Sequence, residues 1–377
     1  MLLFISGSYP NSPDGIAASA KILLESMCNE ISRNNFVLLT TNLHEIVEYT
    51  KLNPIAKTEY LPDWKINVRN IEKFFSILKE SCISTIHMEY PGTGYGKTFL
   101  ATILPFLVKC NPRFRHIKFN VRLHEFTKAR LLRKIAILPI VMFADNIYVP
   151  ALHDRMVLSR IAGSKVKGTI IGNNIPVTSE IKKRNSKICI SYFGFVYKGK
   201  GIKKMLGLWK KIHDRDVNEQ IRFKIIGELN QDGSSSFAEF HKQVFGWIRE
   251  YGLENYIDIT GYVSDEEASR EINQTDIATV FYDDGLTLRR GSFIAFLCHG
   301  VPIITSCGDA ESIELFKSAA GVLMTDSDDE AVERVYKWIT LSEAEKSELS
   351  RSNKKMAEYF SWKNIALNFL KEYDMLD

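Results

Sequence analysis

The chain has 377 residues, enough for two domains of ordinary size. Its composition, 45% hydrophobic and 25% charged, is that of a folded protein, and no apolar run reaches the length of a membrane span. A net charge of +4 suits phosphorylated ligands or an anionic membrane surface and is too weak to argue for nucleic acid. The six cysteines are scattered without a CxxC pair, which points away from a disulfide framework or zinc site and toward a reducing cytoplasm. The opening MLLFISGSYP lacks the length and basic region of a signal peptide, so a cytoplasmic location is expected.

In chain order, Leu2 to Ile5 reads as a buried strand, followed by the polar loop GSYPNSPDG and a helix over Ile16 to Ile31. Asp14 is the expected cap, and Gly15 at the helix start would let a ligand approach the backbone. Strands are expected at Phe36 to Thr41, Ile66 to Val68, Ser84 to Met88, Lys118 to Leu123, Asn146 to Val149 and Val166 to Ile171. Helices are expected at Asn70 to Glu80, Thr98 to Lys109 and Ala129 to Met142. The polar run Asn173 to Lys187 is the linker candidate. After it the rhythm restarts. Strands are expected at Ile188 to Phe193, Arg222 to Ile226, Ile257 to Thr260 and Gly321 to Met324, with helices to about His213, over Ser236 to Tyr251 and Asp265 to Asn273, and from Asp329. A last helix spans Trp362 to Tyr373. Alternating strands and helices give parallel sheets in two successive α/β domains, placed at 1–178 and 179–361.

The stretch FYDDGLTLRRGSFIAFLCHGVPIITS, Phe281 to Ser306, is the centre of the second half. It reads as strand, polar turn, helix capped by Ser292, a stop at Gly300 and a strand from Val301 to Thr305. A helix start carrying Arg289, Arg290 and Gly291 suits a phosphate or pyrophosphate. The turn Tyr197-Lys198-Gly199-Lys200-Gly201 is a second cationic strand end, on the same edge of a parallel sheet. Two cations converging on a pyrophosphate would stabilise a departing nucleoside diphosphate. In the first half, His124-Glu125 ends a strand, and its imidazole could donate to or accept from a sugar hydroxyl.

PGTGYGKT, Pro91 to Thr98, is close to a P-loop, but Pro91 stands at the first glycine position and has no N–H for a phosphate. The alternative is a glycine-rich loop that lets an acceptor approach. Asp326-x-Asp328 and Asp214-x-Asp216 match an acid-x-acid metal pattern but are better explained by capping and chance, so no cofactor and no obligatory metal is expected.

Taken together these blocks resemble the retaining GT-B glycosyltransferases of family four, the group-one glycosyltransferases. The blocks are GSYPNSPDGIAASA, HMEYPGTGYG, VRLHEF, GNNIP, YFGFVYKGKGIKKML, FKIIGE, ITGYVSDEEASREINQTDIATVFYDDG, GSFIAFLCHGVPIITS and YFSWKNIALNFLKEY. The resemblance implies an α/β fold of GT-B architecture, two Rossmann-like domains facing each other across a cleft, with residues 362–377 crossing back to the first. It implies transfer of a hexose or related sugar from a UDP or GDP sugar to a hydroxyl of a glycan or lipid-linked acceptor, with retention, in surface polysaccharide biosynthesis. Lys200 matches the phosphate-binding lysine, Arg290 the turn facing the diphosphate, Gly15 the loop admitting the phosphates and His124 the histidine near the donor sugar. Gly194, Gly227, Tyr262, Val263, Thr287, Gly291 and Ser292 fall on the donor side, and Tyr95 and Glu125 on the acceptor side. Two departures stand out. The family's paired glutamates are replaced by Thr287 and Ala295, and Phe195 stands where an arginine is usual after Gly194. Neither Thr287 nor Ala295 can accept as a carboxylate does, so a nucleotide-sugar-binding scaffold without turnover is the alternative function, with a P-loop NTPase behind it. The basic, apolar segment TKARLLRKIAILPI, with Lys128, Arg130, Arg133 and Lys134, would rest on an anionic inner membrane face.

Overall fold

The computed structural model describes residues 1–9, 15–127, 129–178, 187–229 and 237–376. Asp14, Lys128, residues 179–186 of the linker and Ser236 lie outside the described residues. Two compact units are present: Met1–Gly172 together with Trp362–Asp377, and Asn173–Ser361.

The first unit is built on seven parallel strands: β1 (Leu2–Ser6), β2 (Phe36–Thr41), β3 (Lys57–Leu61), β4 (Thr85–Tyr90), β5 (Lys118–Leu123), β6 (Asn146–Val149) and β7 (Val166–Gly168). Their order is β3-β2-β1-β4-β5-β6-β7. Successive side chains of a strand point to opposite faces, so each strand feeds two cores. Leu3, Ile5, Val37, Leu39, Met88 and Val121 pack on one side with Trp64, Phe74, Leu104 and Ile140. Leu2, Phe4, Phe36 and Leu38 pack on the other with Leu23, Leu24, Ile365, Phe369 and Leu370. The terminal helix Trp362–Glu372 therefore closes this second face beside the helix Gly15–Glu30.

The second unit has six parallel strands: β8 (Ile188–Phe193), β9 (Ile221–Ile226), β10 (Ile257–Ile259), β11 (Ile277–Val280), β12 (Ile303–Thr305) and β13 (Val322–Met324), in the order β10-β9-β8-β11-β12-β13. Each sheet winds outward from its first strand, then reverses and continues from its fourth. At such a reversal the flanking helices leave to opposite faces, and a crevice opens at the carboxyl ends of the two central strands. Those reversals lie between β1 and β4 and between β8 and β11.

Several expectations are corrected. Ile66 to Val68 is not a strand: Val68 opens the helix Val68–Glu80, capped by the Asn67 side chain, which accepts from the Asn70 amide at 2.8 Å. The third strand is instead Lys57–Leu61, whose polar KTEYL suits a sheet edge. The strand expected to begin at Phe281 is Ile277–Val280. Ser292 is not a cap but lies inside the helix Gly291–His299, with Arg290 in the capping position. Gly300 ends that helix with φ +74°, as the glycine stop requires. Helices His44–Leu52, Leu152–Ala162 and Glu343–Ala357 were not anticipated.

Candidate functional site

The reversal of the second sheet is flanked by two loops, 194–201 after β8 and 281–290 after β11. Gly201 adopts φ +57°, and a Cβ there would stand 2.6 Å from Phe281 Cβ, so glycine is what lets the loops touch. The Asp283 amide donates to the Gly199 carbonyl at 3.2 Å and ties them together. Each loop leads into a helix, Ile202–Arg215 and Gly291–His299, and neither helix start is capped by a side chain. Helix starts without a capping side chain suit an anion.

This framework brings Lys200 and Arg290 onto one aromatic ring. The Arg290 guanidinium stands 4.3 Å from the Tyr282 ring centroid and the Lys200 ammonium 5.5 Å, with Lys200 also 5.2 Å from the Tyr197 ring. Residues ninety positions apart thus place two cations within about 10 Å of each other. Asp284 forms an ion pair with Arg290, and Arg290 also donates to the Gly285 carbonyl at 3.3 Å. Arg290 Nε and Thr287 Oγ1 are buried without a hydrogen-bond partner among the described residues, so the polar bonding of this turn is incomplete.

Burial pulls the Lys200 ammonium down to about 8; the Arg290 charge pushes the same way, and Asp284 opposes it. A nucleoside diphosphate would restore the proton. Binding of UDP is therefore expected to take up a proton above about pH 8, with Kd rising up to about tenfold per pH unit. Calorimetric titration in buffers of different ionisation enthalpy measures this, and Lys200→Ala is expected to remove it.

The other residues expected on the donor side sort by their surroundings. Gly194 (φ +124°) and Gly227 (φ +147°) serve close packing: a Cβ on Gly194 would meet Ser292 Oγ at 2.5 Å, and one on Gly227 the Gly194 carbonyl oxygen at 2.4 Å. Ser292 is buried against Gly194. Gly15 and Gly291 have open space where a Cβ would stand. Tyr262 is exposed and Val263 half-buried, beside Gly261, which bridges Gly227. Ala295 is core, and Phe195 is exposed. Asp326 and Asp328 are held by Lys204 at 3.0 Å and Lys211 at 2.9 Å, and Ser327 between them caps the helix Asp328–Thr340.

In the first unit, His124 follows β5 and joins a polar cluster that sequence reasoning missed. Its Nε2 meets Glu89 Oε2 at 2.5 Å. The other carboxylate oxygen of Glu89 meets His87 Nε2 at 3.0 Å and Arg122 Nη1 at 3.4 Å, and His87 Nδ1 meets the Tyr373 hydroxyl at 2.6 Å. His87, Glu89 and Arg122 are fully buried. Burial alone would raise the Glu89 carboxyl, but Arg122, His124 and His87 outweigh it and hold it well below the usual carboxylate range. Burial lowers His87, against the pull of Glu89. The signal was the alternation in the strands: His87 and Glu89 in HMEY, and Asn120, Arg122 and His124 in NVRLH, share one face in the register His87↔Asn120 and Glu89↔Arg122.

The near-P-loop between β4 and the helix Leu100–Cys110 does not cradle an anion. The Gly94 amide donates to Ser8 Oγ at 2.7 Å, Tyr95 to Gly92 O at 3.2 Å and Gly96 to Thr93 O at 3.0 Å. A Cβ on Gly94 would fall 1.7 Å from the Gly7 carbonyl oxygen, so this glycine admits the chain's own backbone rather than an acceptor. Tyr95 is buried, with its hydroxyl on the Glu89 carbonyl at 2.8 Å; Lys97 is exposed, and half-buried Glu125 lies 4.0 Å from Arg133.

No protein-family profile and no curated protein sequence matches the chain. Solved structures do. Sucrose-phosphate synthase from Thermosynechococcus elongatus superposes with a TM-score of 0.68 at 15% identity, covering 99% of this chain and 98% of that one. Anabaena HepE in complex with UDP and glucose gives 0.70 at 13%, covering 100% and 99%. The lipopolysaccharide outer core galactosyltransferase WaaB gives 0.65 at 13%, covering 98% and 99%. At these identities the likeness establishes the fold: the chain has the GT-B fold along its whole length.

Proposed function

We propose that this protein is a retaining, metal-independent glycosyltransferase. It moves a hexose or related sugar from a UDP or GDP sugar to a hydroxyl of a glycan or lipid-linked acceptor in surface polysaccharide assembly. The observation that carries the reading is the pairing of Lys200 and Arg290 against Tyr282 at the reversal of the second sheet. As the glycosidic bond breaks, negative charge grows on the departing diphosphate. Two fixed cations and two helix starts stabilise that charge more than the charge of the bound donor. The GT-B fold supports this reading, as does HepE, whose complex holds UDP and glucose. His124 is assigned to a sugar hydroxyl, and WaaB supports a surface-glycan acceptor. Release of UDP or GDP from a panel of nucleotide sugars, unchanged by a chelator, tests the proposal.

A second reading has its own observation. Thr287 and Ala295 stand where the related enzymes carry carboxylates, and neither can orient a sugar or ribose by two acceptor bonds. A scaffold that binds nucleotide sugar without turnover would show saturable donor binding and no diphosphate release.

The acceptor side is proposed to meet an anionic lipid surface. The helix Leu131–Phe143 buries Ile137, Ile140 and Val141 and leaves Leu131, Leu132, Ile135, Leu138 and Met142 exposed, with Arg130 and Arg133 exposed beside them. Exposed Phe99 and Phe106 extend the apolar surface on the neighbouring helix. Among the described residues no helix is long and apolar enough to cross a membrane, so this surface would lie on the lipid. Leu132 is 81% exposed, and burying a leucine contributes about 1.5–3 kcal/mol. Leu132→Glu is therefore expected to weaken flotation with anionic vesicles at least about tenfold. Equal flotation of both proteins, or none by either, would remove the lipid surface from the account.

A further inference from the structure

The buried cluster around Glu89 determines which nitrogen of His124 is left for a ligand. An ionised carboxylate only accepts hydrogen bonds. His124 Nε2, at 2.5 Å from Glu89 Oε2, must then be the protonated nitrogen of the ring. The rest of the cluster agrees. His87 Nε2 lies on the other carboxylate oxygen and must also carry a proton, which leaves His87 Nδ1 to accept from the Tyr373 hydroxyl at 2.6 Å. Arg122 supplies a further donor to Glu89 and is itself held by the Ile170 carbonyl and by the rings of Trp362 and Phe369, at 5.6 and 5.8 Å. Each proton in the chain Tyr373, His87, Glu89, His124 has one place to go. His124 Nδ1 has no hydrogen-bond partner among the described residues.

We infer that Glu89 is a positioning residue that fixes the tautomer of His124: whenever the ring carries a single proton, that proton is on Nε2, and Nδ1 is then a bare acceptor for a ligand that donates a hydrogen bond, such as a sugar hydroxyl. This rests on the transferase reading only for the identity of the ligand. It narrows the role of His124 from donor or acceptor to acceptor. It also gives the helix Trp362–Glu372, through the Tyr373 that follows it, a connection of three hydrogen bonds to that imidazole.

The test is a long-range 1H–15N spectrum of the full chain labelled at histidine, read at the alkaline limit of the His124 titration, with His124 assigned by its loss in His124→Gln. The wild-type ring is expected to show a protonated Nε2 and a bare Nδ1. Glu89→Gln, whose amide can accept or donate, is expected to give both tautomers. With an active donor, Glu89→Gln should lower kcat about tenfold or more and leave the donor KM within about twofold. A wild-type proton on Nδ1 would overturn the inference, as would an unchanged tautomer and unchanged kcat in Glu89→Gln. The wild-type spectrum stands even if the variant does not fold. A locked Nε2–H with no turnover of any nucleotide sugar would count against the transferase reading and leave the tautomer assignment standing.

Discussion

Lys200→Ala is expected to lower kcat by about 10²- to 10³-fold, the loss seen when one preorganised donor to a developing anion is removed. The ammonium is half-buried between the rings of Tyr197 and Tyr282, so water could replace its charge only in part. Its charge is also strained: burial and Arg290 both lower its pKa to about 8. A group held this way gains more from the charge that grows on the diphosphate in the transition state than from the bound donor, so kcat should fall more than donor affinity. Arg290→Ala should act in the same direction. It should also raise the Lys200 pKa in the free protein, because one of the two causes of its depression is gone. Steady-state kinetics of both variants and of the double variant check this. Since the two cations share one anion, their effects should not add.

Glu89→Ala is expected to destabilise the first unit by about 3–5 kcal/mol, because it leaves the Arg122 guanidinium buried without its counter-ion. For a unit of this size that is a fall of about 10 °C in its melting temperature. The pH dependence follows from the same cluster. The Glu89 carboxyl is held below its unfolded value, so its contribution is present above about pH 4.3 and is lost as pH falls through the folded value. His87 is also lowered, so below about pH 6.5 the unfolded chain takes up a proton that the folded one refuses. Both groups make the unit less stable in acid, and thermal melts from neutral pH downward measure the slope.

The parts of the fold that could be read from sequence were those whose burial is uniform. Phe36–Thr41, Asn146–Val149 and Ile188–Phe193 lie where their apolar runs put them, and Lys118–Leu123 where its alternation does. Lys57–Leu61 was missed because an edge strand covered on one side needs few apolar residues. Glu343–Ala357 buries only Asn353 and Ala357, and so shows no apolar stripe. The meeting of Lys200 with Arg290 was legible because both end parallel strands of one sheet. The Tyr282 ring that carries them both, and the Asp284 that pairs with Arg290, depend on how the turn folds back and were not legible. Nor was the Glu89 cluster. Polar residues inside a buried strand acquire partners only once the register of β4 on β5 is known.

The diphosphate is proposed to be held by the turns after β8 and β11 and not by the glycine-rich loop after β4. Calorimetric titration of UDP and GDP into wild-type protein, Lys200→Ala and Lys97→Ala tests it most directly. Binding is expected to survive in Lys97→Ala and to weaken at least about tenfold in Lys200→Ala. Binding abolished by Lys97→Ala and untouched by Lys200→Ala would contradict it.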